Sequence, residues 1–306
     1  MENPMQIGMI GLGRMGMNMA RRLVQGGHEV LAFNRSPAKT DQLAAEGGLA
    51  TYSLKEFVSR LEPPRTIWIM LPAGTPVDEH IKQLTGMLDR GDLIVDGGNS
   101  NFKDDIRRAE QLKTMGLLYA DAGVSGGIWG LTVGYCTMVG GPAEAYERLR
   151  PALDTLAPPE GHLHCGAVGA GHFVKMIHNG IEYGMMQAYA EGFALLEASP
   201  YGKGMDFGEV AHLWNQGSVV RSWLLELAET AFAQDGRLEG IAPYVEDSGE
   251  GRWTVDQAVE LGVSAPVLTL SLMERFRSRD EGAFADRLLA ALRNQFGGHA
   301  IKKSGE

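Results

Sequence analysis

Gln6-Ile7-Gly8-Met9-Ile10-Gly11-Leu12-Gly13-Arg14-Met15-Gly16 joins a short apolar run to the start of a helical pattern through closely spaced glycines. The run reads as a buried strand. The G-x-G-x-x-G spacing permits a tight turn, close approach of a pyrophosphate, and its seating on the N–H groups at the helix start. Gly11, Leu12, Gly13, Arg14, Met15 and Gly16 are therefore a candidate cofactor loop. A glycine-rich turn that merely packs a helix on a sheet has the same spelling, so the flanking sequence has to decide.

Outward from the loop, short apolar runs alternate with helical stretches. Gln6–Ile10, His28–Phe33, Thr66–Leu71, Leu93–Asp96 and Leu117–Ala120 read as buried parallel strands. Arg14–Gly26, Pro37–Gly47, Val77–Leu88 and Phe102–Met115 read as their crossover helices. This pattern predicts an α/β doubly wound, Rossmann-type N-terminal domain. A further strand, Tyr135–Val139, and a helix from Pro142 lead to about Leu156, where Ala157-Pro158-Pro159-Glu160-Gly161 breaks the periodicity. From Gly169 the pattern is helical, with one long helix from His172 to about Ser199 stopped by Pro200. The expected organisation is a dinucleotide-binding domain over residues 1–166 and an all-α C-terminal domain for substrate and oligomerisation over residues 167–306.

The end of the second strand bears on the cofactor. Asp or Glu there commonly bonds the ribose 2′-hydroxyl of NAD, but this chain has Asn34-Arg35-Ser36, which lacks the carboxylate and offers a guanidinium to a 2′-phosphate. NADP is the expected cofactor, with NAD possible. Asn34, Arg35 and Ser36 join the cofactor-binding candidates, as do Leu71, Pro72 and Ala73 after the next strand. Asp96-Gly97-Gly98-Asn99-Ser100 also follows a strand, at the edge where ligands of open α/β sheets bind, so Asn99 is a candidate for substrate and nicotinamide. In Gly123-Val124-Ser125-Gly126-Gly127 the Ser125 hydroxyl and the N–H groups of Gly126 and Gly127 suit a carboxylate.

Composition bounds the partners. The chain has 306 residues, 44% of them hydrophobic, enough for two ordinary domains. A net charge of −10 argues against nucleic acid or an anionic membrane, so cations for an anionic substrate must be local. No long apolar stretch or signal peptide is legible, and the expected location is cytoplasmic. Cys136 and Cys165 have no metal-ligand spacing and are expected in the core.

The most informative segment is Gly169-Ala170-Gly171-His172-Phe173-Val174-Lys175-Met176-Ile177-His178-Asn179-Gly180-Ile181-Glu182-Tyr183. On a helix Lys175, His178, Asn179, Glu182 and Tyr183 share one face, either a solvated stripe or a site. This segment resembles the catalytic helix of 6-phosphogluconate dehydrogenase. Gly11–Gly16, Asn34-Arg35-Ser36, Asp96–Ser100, Val124–Gly127, Gly251-Arg252-Trp253-Thr254 and Arg293-Asn294-Gln295-Phe296-Gly297-Gly298-His299 resemble other motifs of that family, in order and over nearly the whole chain. The chain is similar to the short form, whose helical domain lacks a duplicated half.

The resemblance implies oxidative decarboxylation of 6-phospho-D-gluconate to ribulose 5-phosphate and carbon dioxide, without a metal, in a pentose phosphate pathway or in gluconate utilisation. It implies that Lys175 is base and then acid at the 3-hydroxyl, and that Glu182 protonates C1. Asn179, His178 and Ser125 would orient the substrate, with Asn99, Gly126 and Gly127 nearby. Tyr183, Arg277 and, from a neighbouring subunit, Arg293 and His299 would hold the 6-phosphate, so a homodimer or homotetramer with shared active sites is implied. Two departures stand out: Ser248-Gly249-Glu250-Gly251-Arg252-Trp253 lacks a lysine of the long enzymes and adds a carboxylate, and Ile128-Trp129 replaces acidic residues. Arg252 is a candidate to replace the missing cation. The rival enzyme is a dehydrogenase of small β-hydroxyacids, which shares the glycine loop and the Lys-x-x-x-Asn pair; a silent nucleotide-sensing protein is the non-enzymatic alternative.

Overall fold

The computed structural model describes residues 4–280, 284–297, 300 and 302. The chain forms two compact units, the first ending at His178 and the second beginning at Asn179.

The first unit is built on one sheet: β1 (Gln6–Ile10), β2 (Glu29–Phe33), β3 (Leu49–Thr51), β4 (Thr66–Ile69), β5 (Leu93–Asp96), β6 (Leu118–Ser125), β7 (Cys136–Gly140) and β8 (His162–Gly166), in the order β3-β2-β1-β4-β5-β6-β7-β8. Neighbours are parallel except β6 and β7. The order reverses between β1 and β4, so the loops after β1, β4 and β5 lie around a switch point, where open sheets bind ligands. The helices are α1 (Arg14–Gln25), α2 (Pro37–Ala45), α3 (Leu54–Arg60), α4 (Thr75–Thr85), α5 (Phe102–Thr114), the short α6 (Gly130–Val133) and α7 (Ala143–Leu156).

Alternation along the strands splits the core into two faces. Ile7, Met9, Trp68, Leu93 and Val95 pack with Met19 and Leu23 of α1 and Leu149 and Leu153 of α7. Ile10, Ile67, Ile69 and Ile94 pack with Phe57 of α3, Val77 and Leu84 of α4 and Leu112 of α5. Both faces are covered, which is why these strands are nearly continuous apolar runs.

Several elements differ from the expectation. The pair β3 and α3 went unread because a three-residue strand carries no periodicity; its legible signal was Ser53-x-x-Glu56, whose serine accepts from the Glu56 N–H while Glu56 accepts from the Tyr52 N–H. Strand β6 runs on to Ser125, beyond the expected end at Ala120, because buried Asp121 looks polar in sequence yet lies inside the strand. The break at Ala157–Gly161 is a turn into β8. Cys136 and Cys165 are not core residues: Cys136 opens β7 in an exposed position, and Cys165 on β8, an edge strand of the sheet, is half-buried.

Helix α8 (Ala170–Ala198) begins in the first unit and continues into the second, where α9 (Phe207–Asn215), α10 (Trp223–Gln234), α11 (Glu250–Leu261), α12 (Pro266–Arg277) and α13 (Phe284–Gly297) follow. The second unit centres part of its core on Phe193, Phe207, Ala211 and Leu225, with the Phe193 and Phe232 rings 4.9 Å apart.

Candidate active site

The glycine loop is shaped by close approach. A Cβ at Gly11, where φ is +94°, would stand 2.5 Å from the Met70 carbonyl, and one at Gly16 would stand 2.1 Å from the Gly11 carbonyl. At Gly13 a Cβ would meet nothing within 4 Å, so this side of the turn is open. No side chain caps the start of α1 and no acidic residue lies in its first turn, which leaves N–H groups and the positive end of the helix for an anion. Asn34 serves the loop itself: Leu12 N–H donates to its Oδ1 over 2.9 Å, and its Nδ2 donates to the Ser36 carbonyl over 3.1 Å. Arg35 and Ser36 are exposed beside it, and the Ser36 hydroxyl makes no capping bond to α2. Leu71, Pro72 and Ala73 follow β4, Leu71 half-buried and the other two exposed. These residues fit a dinucleotide.

The turn after β5 is held from below. Buried Asp96 accepts from Gly98 N–H at 2.9 Å, from the Ser100 hydroxyl at 2.6 Å and from Arg108 Nη1 at 2.8 Å. This fixes Asn99 in a left-handed conformation, φ +48°, which asparagine tolerates better than most residues. After β6, Gly126 and Gly127 adopt φ +135° and +52°, and Ser125 Oγ lies 3.4 Å from His178 Nε2.

Strand β6 also seats the start of α8. Asp121 accepts from the Gly169 and His172 N–H groups at 2.6 and 2.8 Å, capping the first turn. A Cβ at Gly123 would stand 2.3 Å from Lys175 Cβ, so only glycine lets the Lys175 stem lie there. Lys175 and Asn179 are buried, and His178 and Glu182 half-buried, on a continuous helix. The polar face is thus not a solvated stripe. Burial alone would lower the His172 pKa, but Asp105, 2.7 Å away, with Asp96 and Asp121 beyond, raises it to about 9.

In the second unit Tyr183 is buried. Its hydroxyl accepts from Ser248 N–H at 3.3 Å, and Gly251 packs on its ring, where a Cβ would approach Cε2 to 2.5 Å. Arg275, which the sequence did not single out, lays its guanidinium 3.5 Å from the ring centroid and donates to the Glu246 carbonyl at 2.8 Å. Its only sequence signal was a second arginine two positions before Arg277. Arg277 is exposed, 3.5 Å from Asp286. Arg252 bonds Asp247 at 2.6 and 3.0 Å and is stacked over Phe276, and with Arg279 it holds the Asp247 carboxyl down at about 2. It is therefore committed and poorly suited to replace the missing lysine. Glu250, the added carboxylate, is buried and accepts from the Ser248 hydroxyl at 2.5 Å. Arg293 lies within α13, which runs to Gly297, and is an exposed helical residue. His299 lies outside the described residues.

Two family models together cover almost the whole chain: the NAD binding domain of 6-phosphogluconate dehydrogenase matches residues 6–169, and the C-terminal domain of 6-phosphogluconate dehydrogenase matches residues 171–303. The chain belongs to the 6-phosphogluconate dehydrogenase family. An NAD(+)-dependent, decarboxylating 6-phosphogluconate dehydrogenase of Haloferax volcanii is 44% identical over 99% of this chain and 100% of its own length. A decarboxylating 6-phosphogluconate dehydrogenase of Bacillus licheniformis is 39% identical over 93% of this chain and 64% of its own length. Among solved structures, Plasmodium falciparum 6-phosphogluconate dehydrogenase, determined apo, with NADP+ and with 6-phosphogluconate, superposes with a TM-score of 0.83 at 28% identity, covering 98% of this chain and 67% of its own. A Mycobacterium tuberculosis 3-hydroxyisobutyrate dehydrogenase reaches a TM-score of 0.71 at 25% identity, over 88% of this chain and 91% of its own. The β-hydroxyacid class thus shares the architecture at lower similarity.

Proposed function

We propose that this protein is the NAD(P)-dependent enzyme that oxidises and decarboxylates 6-phospho-D-gluconate to ribulose 5-phosphate and carbon dioxide. The observation that carries the reading is the face of α8 that presents Lys175, His178, Asn179, Glu182 and Tyr183 in a member of this family. Oxidation of the 3-hydroxyl gives a β-keto acid, which loses carbon dioxide readily because the new carbonyl accepts the electrons; the chemistry needs no metal. The nicotinamide, when bound, accepts the hydride from C3. Lys175 takes the hydroxyl proton as that happens and returns it to the oxygen as the enediol forms. Glu182, two helical turns further on, then protonates substrate C2, which becomes C1 of ribulose 5-phosphate, as Lys175 takes the hydroxyl proton again to leave the ketone. Ser125, Gly126, Gly127, His178, Asn179 and Asn99 orient the carboxylate and hydroxyls. Assays with 6-phosphogluconate and gluconate, each with NAD and NADP, test this: the phosphorylated substrate should be strongly preferred, with one carbon dioxide released per reduced nucleotide. Preference for a small β-hydroxyacid without carbon dioxide release would establish the rival.

For the phosphate we assign Tyr183 and Arg275, with Arg277, Arg293 and His299 as further cations. Arg275→Ala should raise the KM for 6-phosphogluconate by roughly tenfold or more, the scale of a charge-assisted hydrogen bond. Arg277→Ala, measured in parallel, should have the smaller effect; the reverse ranking would return the role to Arg277.

For the cofactor we assign NADP, with NAD also used, on the strength of Arg35 in place of a carboxylate. Arg35→Ala should raise the NADP KM by about tenfold and leave the NAD KM nearly unchanged. Equal effects on both would remove Arg35 from cofactor choice.

We further assign a homodimer or homotetramer with shared sites. Large apolar side chains of the second unit are exposed, among them Val259 at 79%, Leu195 at 74% and Leu270 at 63%, more than a lone domain usually leaves in water. Among the described residues no helix is long and apolar enough to cross a membrane, and we place the enzyme in the cytoplasm.

A further inference from the structure

Helix α5 carries two buried charges on neighbouring turns, Asp105 and Arg108, that the reaction itself does not use. They reach in different directions. Arg108 donates through Nε to Asp78 on α4 at 2.7 Å, through Nη1 to Asp96 at 2.8 Å and to the Ser100 hydroxyl at 3.4 Å, and through Nη2 to the Gly74 carbonyl at 3.3 Å. One guanidinium thus pins the Asp96–Ser100 turn that presents Asn99 and the loop that follows Ala73. Asp105 accepts from the Tyr119 hydroxyl on β6 and from His172 Nδ1 on α8, each at 2.7 Å. His172 lies three residues before Lys175, and its Nε2 has no hydrogen-bond partner among the described residues, so the bond to Asp105 is the ring's polar attachment. Asp96, Asp105 and His172 stand close enough to suggest a metal centre, yet every carboxylate oxygen among them already accepts a protein hydrogen bond.

We propose that Arg108 and the Asp105–His172 pair are positioning residues for the reaction, with separate duties: Arg108 sets the cofactor-side turns, and Asp105 through His172 sets the first turn of α8 and with it Lys175. The start of α8 is also seated from the strand side, by the Asp121 cap and the contact at Gly123, and from α5 by the edge-on contact of Phe102 with Phe173, whose ring centroids are 5.1 Å apart. None of these three contacts is a polar bond to a side chain of α8. The Asp105–His172 bond, from α5, adds a directional polar tie to a side chain of that turn. Buried, charge-assisted bonds of this kind are strong and directional, which suits them to fixing geometry.

The inference rests on the role proposed above for Lys175, and its test separates the two. His172→Asn keeps a donor near the position of Nδ1, whereas His172→Leu keeps bulk without a donor. With cofactor and 6-phosphogluconate saturating, folded His172→Leu should lose about 10²-fold in kcat, the scale of an ångström-sized misplacement, with an unchanged cofactor Kd from tryptophan fluorescence. His172→Asn should recover much of that loss. Ser100→Ala and Arg108→Lys should do the opposite, raising the cofactor Kd by roughly tenfold with a smaller change in kcat. Wild-type kcat in His172→Leu, no difference between His172→Leu and His172→Asn, or parallel changes in kcat and cofactor Kd in both sets would overturn the proposal and leave a purely structural hub. Should His172→Leu not fold, Asp105→Asn, which keeps the shape and one acceptor, must show the same selective fall in kcat or the proposal fails. A wild-type protein inert toward 6-phosphogluconate would instead overturn the function, while the cofactor Kd would still report on the Arg108 arm.

Discussion

Lys175→Met is expected to lower kcat with 6-phosphogluconate by about 10²–10⁴-fold, the range for removal of a general acid–base group. Methionine is the informative replacement because its unbranched, flexible stem can follow the path of the lysine along β6. That path is narrow. A Cβ at Gly123 would come within 2.3 Å of Lys175 Cβ, so a branched side chain at 175 would disturb the helix seat as well as the chemistry. In the methionine variant the Asp121 cap and the Asp105–His172 bond remain, and the cofactor loop is untouched. Cofactor Kd and thermal stability should therefore stay near wild type while turnover collapses. Retention of more than about a tenth of wild-type kcat would mean that another group moves the 3-hydroxyl proton, and His178, on the same helical face, would be the first to examine.

The chemistry-bearing segments were legible because each is local. Gly11–Gly16 is read from its spacing together with the strand and helix that flank it, Gly169–Tyr183 from its one helical face together with its resemblance to the family, and the strands of the doubly wound core announce themselves as apolar runs because both faces of the sheet are covered. What was not legible depends on distance in sequence. Asp121 and Gly123 look like flaws in a strand; their purpose is visible only when α8, about fifty residues later, is laid against them. Asp105 and Arg108 sit in the charged stretch Lys103-Asp104-Asp105-Ile106-Arg107-Arg108, where the pattern cannot tell which charges face solvent. Arg275 and Arg277 are two residues apart on α12 and so point about 160° apart. Only the tertiary fold decides that Arg275 covers Tyr183 and that Arg277 faces Asp286. Ser248 and Glu250 read as a lost cation and an added repulsion, whereas the fold bonds them to each other and uses the Ser248 N–H to hold the Tyr183 hydroxyl.

Glu182→Gln should separate the first half of the reaction from the second. Glutamine keeps the shape and a hydrogen-bonding oxygen but has no acidic proton, so substrate KM should change little while steady-state kcat falls by about 10²–10⁴-fold. In the proposed mechanism hydride transfer and carbon dioxide loss depend on Lys175 and precede protonation of the carbon that becomes C1 of ribulose 5-phosphate. The variant should therefore still reduce one equivalent of nucleotide per site in a fast first turnover and then slow, waiting for an adventitious proton at C1. Lys175→Met, blocked at the first proton transfer, should show no such burst, so the two variants are distinguishable in a stopped-flow trace of nucleotide absorbance even when their kcat values coincide. Lys175 and Glu182 are seven residues apart, two turns along one face of α8. A slow first turnover in Glu182→Gln would place the carboxyl earlier in the sequence, helping to lower the barrier to oxidation, and near-wild-type turnover would assign the C1 proton to a different donor.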